Sequence, residues 1–479
     1  MNYSQFLNMI PEATLMAILI IVFIADFASS RKGERRWFNP LVCLLMLVQV
    51  VVCAVPQEPT SAFGGMYVTT AAVNVMKTIL AAGTLIVVIQ SRKWLSRPDT
   101  SFKEGEFYML VISTMLGMNM MMSSGHFLMF YLGLEMASVP MACLVALDKY
   151  RHNSAEGAAK FILTATFSSG VMLYGISFIY GAAGTLYFED VANVLALRDN
   201  LTFTIMGMVF FFSGLGFKIS LVPFHFWTAD AYQGAPTTVT GYLSVISKGA
   251  AAFTLMAILM KVFAPITEYW TVVLYVLVVL TITVGNLFAI RQKDLKRFMA
   301  FSSISQAGYI MLAVIGDSAM GVAALSYYVL VYVVANLAVF TVISVVEENN
   351  GGTTDMDAYN GFYTTNPKLS LLMTFALFSL AGIPPFAGMF SKFFVFMAAA
   401  QQGAPLTYLV VFIALVNTVV SLYYYLLIVK AMYIKKSDAP LPTFKSDGNT
   451  KLALALCTAG VLLFGVCSFF YDWIEIAAA

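Results

Sequence analysis

Residues 214–227 read GLGFKISLVPFHFW, and residues 380–394 read LAGIPPFAGMFSKFF. Each stretch is apolar enough for a lipid bilayer, yet each carries glycine, proline and a lysine near its middle. Proline removes a helical hydrogen bond and clashes with the preceding turn, so a helix breaks there. In lipid such a break survives only where protein or a wet cavity satisfies the freed backbone. Two broken spans, flanked by Lys218 and Lys392, therefore predict an all-α membrane protein with a polar interior.

The 479 residues are 60% hydrophobic and only 11% charged, with a mean hydropathy of +0.82. Soluble domains carry roughly 25% charged residues, so this surface does not suit water. A helical span needs about 20 apolar residues. The apolar runs predict about fourteen transmembrane helices: 8–30, 37–56, 66–90, 106–123, 127–147, 157–181, 202–229, 237–263, 270–290, 297–315, 320–346, 368–400, 407–433 and 450–472. No room remains for a large soluble domain. The opening MNYSQFLNMIPEAT lacks a basic region and runs into the first span, which is expected to act as an uncleaved insertion signal.

Basic residues sort the loops. Arg31, Lys32, Arg35 and Arg36 follow the first span, and Arg92, Lys93, Arg97 and Lys103 the third. Lys149 and Arg151 follow the fifth, Arg291, Lys293, Lys296 and Arg297 the ninth, and Lys435, Lys436 and Lys445 the thirteenth. The alternate loops at 57–65, 182–199 and 264–270 hold only Arg198. The positive-inside rule then places the odd-numbered loops in the cytoplasm of a bacterial inner membrane and both termini in the periplasm. The broken spans, seventh and twelfth, lie five apart. A repeat of five spans must be inverted in the membrane, as in transporters. The expected organisation is flanking helices over 1–103, a first five-helix unit over 104–264, a second, inverted unit over 265–436, and a last helix over 437–479.

Most of the 27 basic and 25 acidic residues fall in loops or near span ends. Glu135, Lys218, Lys248, Lys392 and Lys77 do not, and a charge at mid-span costs roughly 2.5–3.5 kcal/mol on insertion scales. In FYLGLEMASVPM (130–141), helical spacing puts Tyr131, Glu135 and Ser138 on one face. Glu135 is the natural partner for Lys218, which stands before the Pro223 break. Thr237, Gly241, Ser244 and Lys248 form a stripe of small and polar residues suited to water. Burial disfavours a charged ammonium, which brings a lysine there within reach of proton exchange. His225, between two such lysines in sequence, is a candidate relay. Lys77, in AAVNVMKTILAAG, has neither a break nor a stripe beside it and is expected to snorkel or pair outside the path. The run LGMNMMMSS (116–124) reads as packing or lipid contact, not a metal site.

The stretch FKISLVPFHFWTADAYQGAPTTVTGYLSVISKGAA (217–251) resembles the signature of the antiporter-like membrane subunits of respiratory complex I, NADH–quinone oxidoreductase. DAYQGAP (230–236) is most similar to the N-type branch, and RFMAFSSISQAGY (297–309) and residues 380–394 resemble the same family. The resemblance implies two inverted five-helix half-channels, with the family's glutamate and three lysines at Glu135, Lys218, Lys248 and Lys392. It implies proton translocation driven by quinone reduction elsewhere, as part of an NADH:quinone reductase with other membrane and peripheral subunits. NADH, FMN, iron–sulfur clusters and quinone are expected on those subunits, with no cofactor and no metal here. The five cysteines, all in apolar runs without CxxC spacing, agree with that expectation. So does the count of three histidines, His126, His152 and His225. Nothing points to nucleic acid. In the expected mechanism Glu135 holds Lys218 charged. Lys218 then yields its proton towards Lys248 by way of His225 and water, and Lys392 exchanges with the opposite side. The rival readings are a subunit of a multi-subunit cation/proton antiporter, a stand-alone solute transporter and a structural scaffold.

Overall fold

The computed structural model describes residues 3–29, 35–149, 151–198, 201–437, 440–467 and 469–478. Arg31 and Lys32 of the first basic loop lie outside the described residues. In chain order the elements are α1 (Ile10–Ser29), α2 (Phe38–Ala54), β1 (Thr60–Ala62), β2 (Tyr67–Thr69), α3 (Ala71–Leu95), α4 (Glu104–Met122), α5 (Phe127–Val145) and α6 (His152–Ala183). There follow α7 (Phe188–Ala196), α8 (Leu201–Ile219), α9 (Phe226–Gly234), α10 (Thr237–Tyr242), α11 (Lys248–Lys261), α12 (Thr267–Ile290), α13 (Leu295–Ile315) and α14 (Ala319–Asn349). The last are α15 (Phe362–Thr365), α16 (Pro367–Ala381), α17 (Ala387–Ala400), α18 (Pro405–Tyr433), α19 (Gly448–Val466) and α20 (Phe469–Ala478).

Among the described residues, 11 helices are long and apolar enough to cross a membrane. With α2, α4 and the α16/α17 pair they make the fourteen spans expected. Helices α10, α11, α13 and α14 are buried along nearly their whole length, whereas α1 and α18 turn most of their apolar surface outward. Side chains such as Phe23 of α1, Phe167 of α6 and Val419 of α18 are exposed, as lipid contact requires. The odd-numbered loops gather on one face: Trp94 and Arg97, Asp148 and Arg151, Gln233 and Thr237, Asp294 and Lys296, and Glu347 and Asp355 line a single cavity. Residues from the even-numbered loops, at 61–68, 125, 187–193 and 261, line another on the opposite face.

The seventh span breaks between α8 and α9, and the twelfth between α16 and α17. Each break contains a cis X–Pro bond, at Val222–Pro223 and Pro384–Pro385. The freed backbone is met by protein. Trp227 Nε1 donates to Phe217 O at 3.1 Å and Thr281 Oγ1 accepts from Val222 N at 3.0 Å. In the twelfth span Ser379 Oγ accepts from Gly388 N at 3.1 Å. The fourth and fifth spans cross on small residues, and so do the ninth and tenth. A Cβ on Gly117 of α4 would lie 2.5 Å from Ala137 N of α5, and one on Gly285 of α12 2.7 Å from Ser305 N of α13. Without a hydrophobic drive between helices in lipid, such close approach supplies the packing.

Several boundaries differ from the sequence reading, and two of the differences show an added element. The third span starts at Ala71, not 66, because Tyr67–Thr69 pairs with Thr60–Ala62 as an antiparallel hairpin. Its turn runs through Phe63, Gly64 and Gly65 at positive φ, and Thr70 caps α3 by accepting from Val73 N. The fourteenth span ends at Val466, and residues 469–478 form a separate helix against α3 and α14.

Candidate functional site

The seventh span ends its first half at Ile219, which leaves Lys218 in the last turn of α8 with 3% exposure. Its Nζ donates to Ser138 Oγ of α5 at 2.7 Å. The expected direct pairing with Glu135 is not what forms: no carboxylate stands within 4.0 Å of Lys218 among the described residues. Ser138 is less than one turn beyond Glu135 on the same face, and its hydroxyl takes the ammonium first. Glu135 is half-buried, with the Tyr131 hydroxyl against it, and its charge still reaches Lys218.

The eighth span is one continuous rod from Thr237 to Lys261, with a π-helical turn over Leu243–Ser247 that delivers the chain to Lys248. Such turns insert one residue into the helical register and recur at functional sites. Lys248 is 1% exposed; its Nζ donates to Ser303 Oγ of α13 at 2.6 Å and lies 5.4 Å from the Tyr232 ring centroid. Ser244 accepts from Asn336 Nδ2 at 2.6 Å, so the expected polar stripe is joined by α14. His225 stands at the start of α9, buried, with Nδ1 unpartnered.

Lys392 lies in the second turn of α17 and reaches back across the break, where Nζ donates to Ala381 O, the last residue of α16, at 3.0 Å. The Tyr309 ring is 4.9 Å from it. Gln306 of α13 donates to Leu380 O at 3.2 Å and to the Tyr425 hydroxyl at 3.0 Å, and accepts from Tyr328. A cavity of about 10 Å³ between Gln306, Tyr332 and Lys392 has room for about one water. Tyr332 lies beside Ser303, the acceptor of Lys248, and its hydroxyl makes no close hydrogen bond. Tyr332, Gln306 and Lys392 thus share the wall of one water-sized space, and Tyr332 has Ser303, the partner of Lys248, beside it.

Lys77 does not snorkel. Its Nζ is 2.6 Å from Glu12 Oε1 and 3.2 Å from the Tyr67 hydroxyl, which donates to Glu12 Oε2 at 2.9 Å. Glu12 is 3% exposed, so Glu135 is not the only acid buried within a span. Sequence reasoning missed Glu12 because it stands near a helix start and its partner is far along the chain. It placed Ser138 on the Glu135 face without seeing it as the partner of Lys218, and it missed Ser303 and Gln306, although both lie in the family-like stretch 297–309. An uncharged hydroxyl or amide among small residues gives no insertion penalty to notice. The methionines of 116–124 pack in the core, with Met118, Met121 and Met122 buried.

The transmembrane family described as NADH:quinone oxidoreductase/Mrp antiporter matches residues 124–442, which contain the four polar positions above. The chain is 57% identical over 472 residues to NADH-quinone oxidoreductase subunit N of Phocaeicola vulgatus, covering 98% of each. It is 33% identical to the subunit N of Rhodospirillum rubrum, covering 95% of this chain and 92% of that one. A chain of respiratory complex I from Thermus thermophilus with bound aureothin superposes with a TM-score of 0.80 at 30% identity, over 95% of this chain and 97% of the other. A chain of the Mrp complex from Dietzia shares the fold, with a TM-score of 0.84 at 19% identity over 100% and 97%. The chain therefore belongs to the NADH:quinone oxidoreductase/Mrp antiporter transmembrane family, alongside the proteins called subunit N.

Proposed function

We propose that this chain is a proton-translocating membrane subunit of NADH–quinone oxidoreductase. One observation carries the reading. Lys218, Lys248 and Lys392 sit at or beside the broken and π-interrupted helices, and each meets a single neutral oxygen with no carboxylate within 4.0 Å among the described residues. An ammonium taken out of water is held charged only by what faces it. One hydroxyl or carbonyl leaves the neutral amine accessible, as a proton carrier needs. The broken helices support a division into units at 104–264 and 265–436, flanked by 1–103 and 437–479.

In the proposed cycle Glu135 acts on Lys218 across Ser138. A change at Glu135, set off by quinone reduction in partner subunits, releases the Lys218 proton towards Lys248, with His225 and water between them. The Lys248 amine takes that proton up. It then passes by Ser303, Tyr332 and the cavity at Gln306 to Lys392, which delivers it to the other side. Redox chemistry and its cofactors belong in this reading to the partner subunits, so the chain is part of an enzyme without performing the electron transfer. The basic loops support a bacterial inner-membrane setting with the odd-numbered loops in the cytoplasm and both termini in the periplasm.

The test uses the assembled complex in sealed vesicles. Lys248→Ala and Glu135→Gln are expected to lower NADH-driven proton uptake while subunit content stays normal. Full pumping by Lys248→Ala at normal assembly would remove Lys248 from the path. The rival antiporter reading has the shared fold of the Mrp chain in its favour. Sodium-gradient-driven proton exchange without NADH, or co-purification with antiporter subunits, would establish it instead.

A further inference from the structure

We propose that Glu347 is the group that collects protons at the mouth on the basic-loop face and feeds them to Lys248. The inference rests on the proton-translocation reading above and adds a second source for Lys248, beside the proton handed over from Lys218, at a residue that reading does not use. A cavity of about 440 Å³ opens on that face between the α5–α6 loop, the start of α10, the start of α13 and the end of α14. Arg151, Thr237, Thr238, Lys296 and Glu347 are in its wall. Thr237 is both the floor of the cavity and the first member of the stripe that ends at Lys248. Its hydroxyl donates to Glu347 Oε2, while Arg151 Nη1 stands 3.5 Å from Glu347 Oε1. The Glu347 side chain is 13% exposed, which leaves it touching the cavity without lying in bulk water.

The neighbouring acid is arranged differently. Glu348 is held by Lys93 at 3.0 Å and Arg97 at 3.4 Å, so a tight double pairing fixes its charge. Glu347 has one long contact to an exposed arginine and one hydroxyl that leads inward. Beyond Thr237 the route is lined by polar atoms that the protein leaves unsatisfied. Gln90 Nε2 lies 3.6 Å from where a Gly241 side chain would begin and has no partner, although its Oε1 accepts from Thr341 at 2.6 Å. Asn336 binds Ser244 through Nδ2 and leaves Oδ1 unpaired, and Thr238 Oγ1 is also unpaired. A buried polar group without a partner costs roughly 1–3 kcal/mol. Three of them spaced between the cavity and Lys248 are best met by a file of water. Glu347 then takes a proton from water in the cavity and becomes a neutral acid. It releases that proton into the file as Lys248 takes one up, and returns to the carboxylate.

A structural role would tie α14 to α6 and α10 through the same two contacts, and paired variants in the assembled complex separate the two. Glu347→Gln keeps the length and the acceptor for Thr237 but cannot ionise; Glu347→Asp keeps the ionisable group at shorter reach. With subunit content verified, the Gln variant is expected to lower NADH-driven proton uptake about tenfold, and the Asp variant to recover most of it. Normal uptake by Glu347→Gln, or a loss seen only in Glu347→Asp, would overturn the proposal. Lys248→Ala measured in parallel keeps the two readings apart. If Lys248→Ala fails to pump and Glu347→Gln pumps normally, only the entrance is wrong; if both pump normally, the translocation reading itself falls.

Discussion

Lys77 lies against Glu12 and the Tyr67 hydroxyl, all three almost without exposure, whereas Lys218, Lys248 and Lys392 each touch one uncharged oxygen. The same side chain therefore does two kinds of work in one bundle. A compensated pair resists losing its proton, because the carboxylate would be left alone in a dry site. Breaking such a pair costs roughly 3–5 kcal/mol, while replacing both partners by uncharged groups of similar volume is often neutral. Lys77→Met is accordingly expected to lower the melting temperature of the detergent-purified complex, and Glu12→Gln/Lys77→Met to restore most of it. Proton uptake per assembled complex should stay near the parent value in the double variant. A loss of pumping there, with stability restored, would move Lys77 into the path. The pair was half legible in the sequence: Lys77 is conspicuous in its apolar run, but Glu12 reads as an ordinary residue of a helix start. Only the hairpin at 60–69, which carries Tyr67 into the spans, explains why both are buried.

The broken helices show how much of an element its residue types alone dictate. Clustered glycine and proline break the seventh and twelfth spans, while the lone Pro140 stays inside the continuous α5, so both interruptions and their separation were legible in the chain from the clusters. What meets the lysines was not legible, because Ser138, Ser303 and the Ala381 carbonyl come from spans distant in sequence or from the break itself. The π-helical turn at 243–247 was hidden too: the stripe from Thr237 to Lys248 fits regular helical spacing, and nothing local announces an added residue. The twelfth span gives a test at this scale. Gly382 ends α16 at φ +88°, and a Cβ there would come within 3.1 Å of Lys392 Cδ. Gly382→Ala would meet both the left-handed backbone penalty of about 1–2 kcal/mol and a crowded lysine stem. The side chain should leave the Ala381 carbonyl, so the variant is expected to assemble and to pump more slowly. Unchanged proton uptake would show that the seating of Lys392 on the break has no part in transport.

In the proposed path the polar groups run sideways through the bundle, from Glu135 and Lys218 to Lys248, Ser303, Gln306 and Lys392. Each five-span unit supplies part of this line, and α13, buried throughout, carries both Ser303 and Gln306 at its centre. The fold was largely readable from charge-poor runs and loop charges. The sideways line was not, since neutral side chains complete it and the packing of α13 against α9, α11, α14, α17 and α18 places them in order. Gln306 is the junction: it bonds the Leu380 carbonyl, Tyr425 and Tyr328, and it borders the water-sized cavity beside Lys392. Gln306→Leu would keep the volume roughly, leave the Leu380 carbonyl and two tyrosines short of a partner, and make that cavity apolar, where water does not stay. If protons reach Lys392 from the first unit, this variant should pump at least about tenfold more slowly with the complex intact, and Gln306→Glu, which restores acceptors and can carry a proton, should recover part of the rate. Normal pumping by Gln306→Leu would mean that Lys392 is loaded from elsewhere, so that the two units work as separate channels and not as one line.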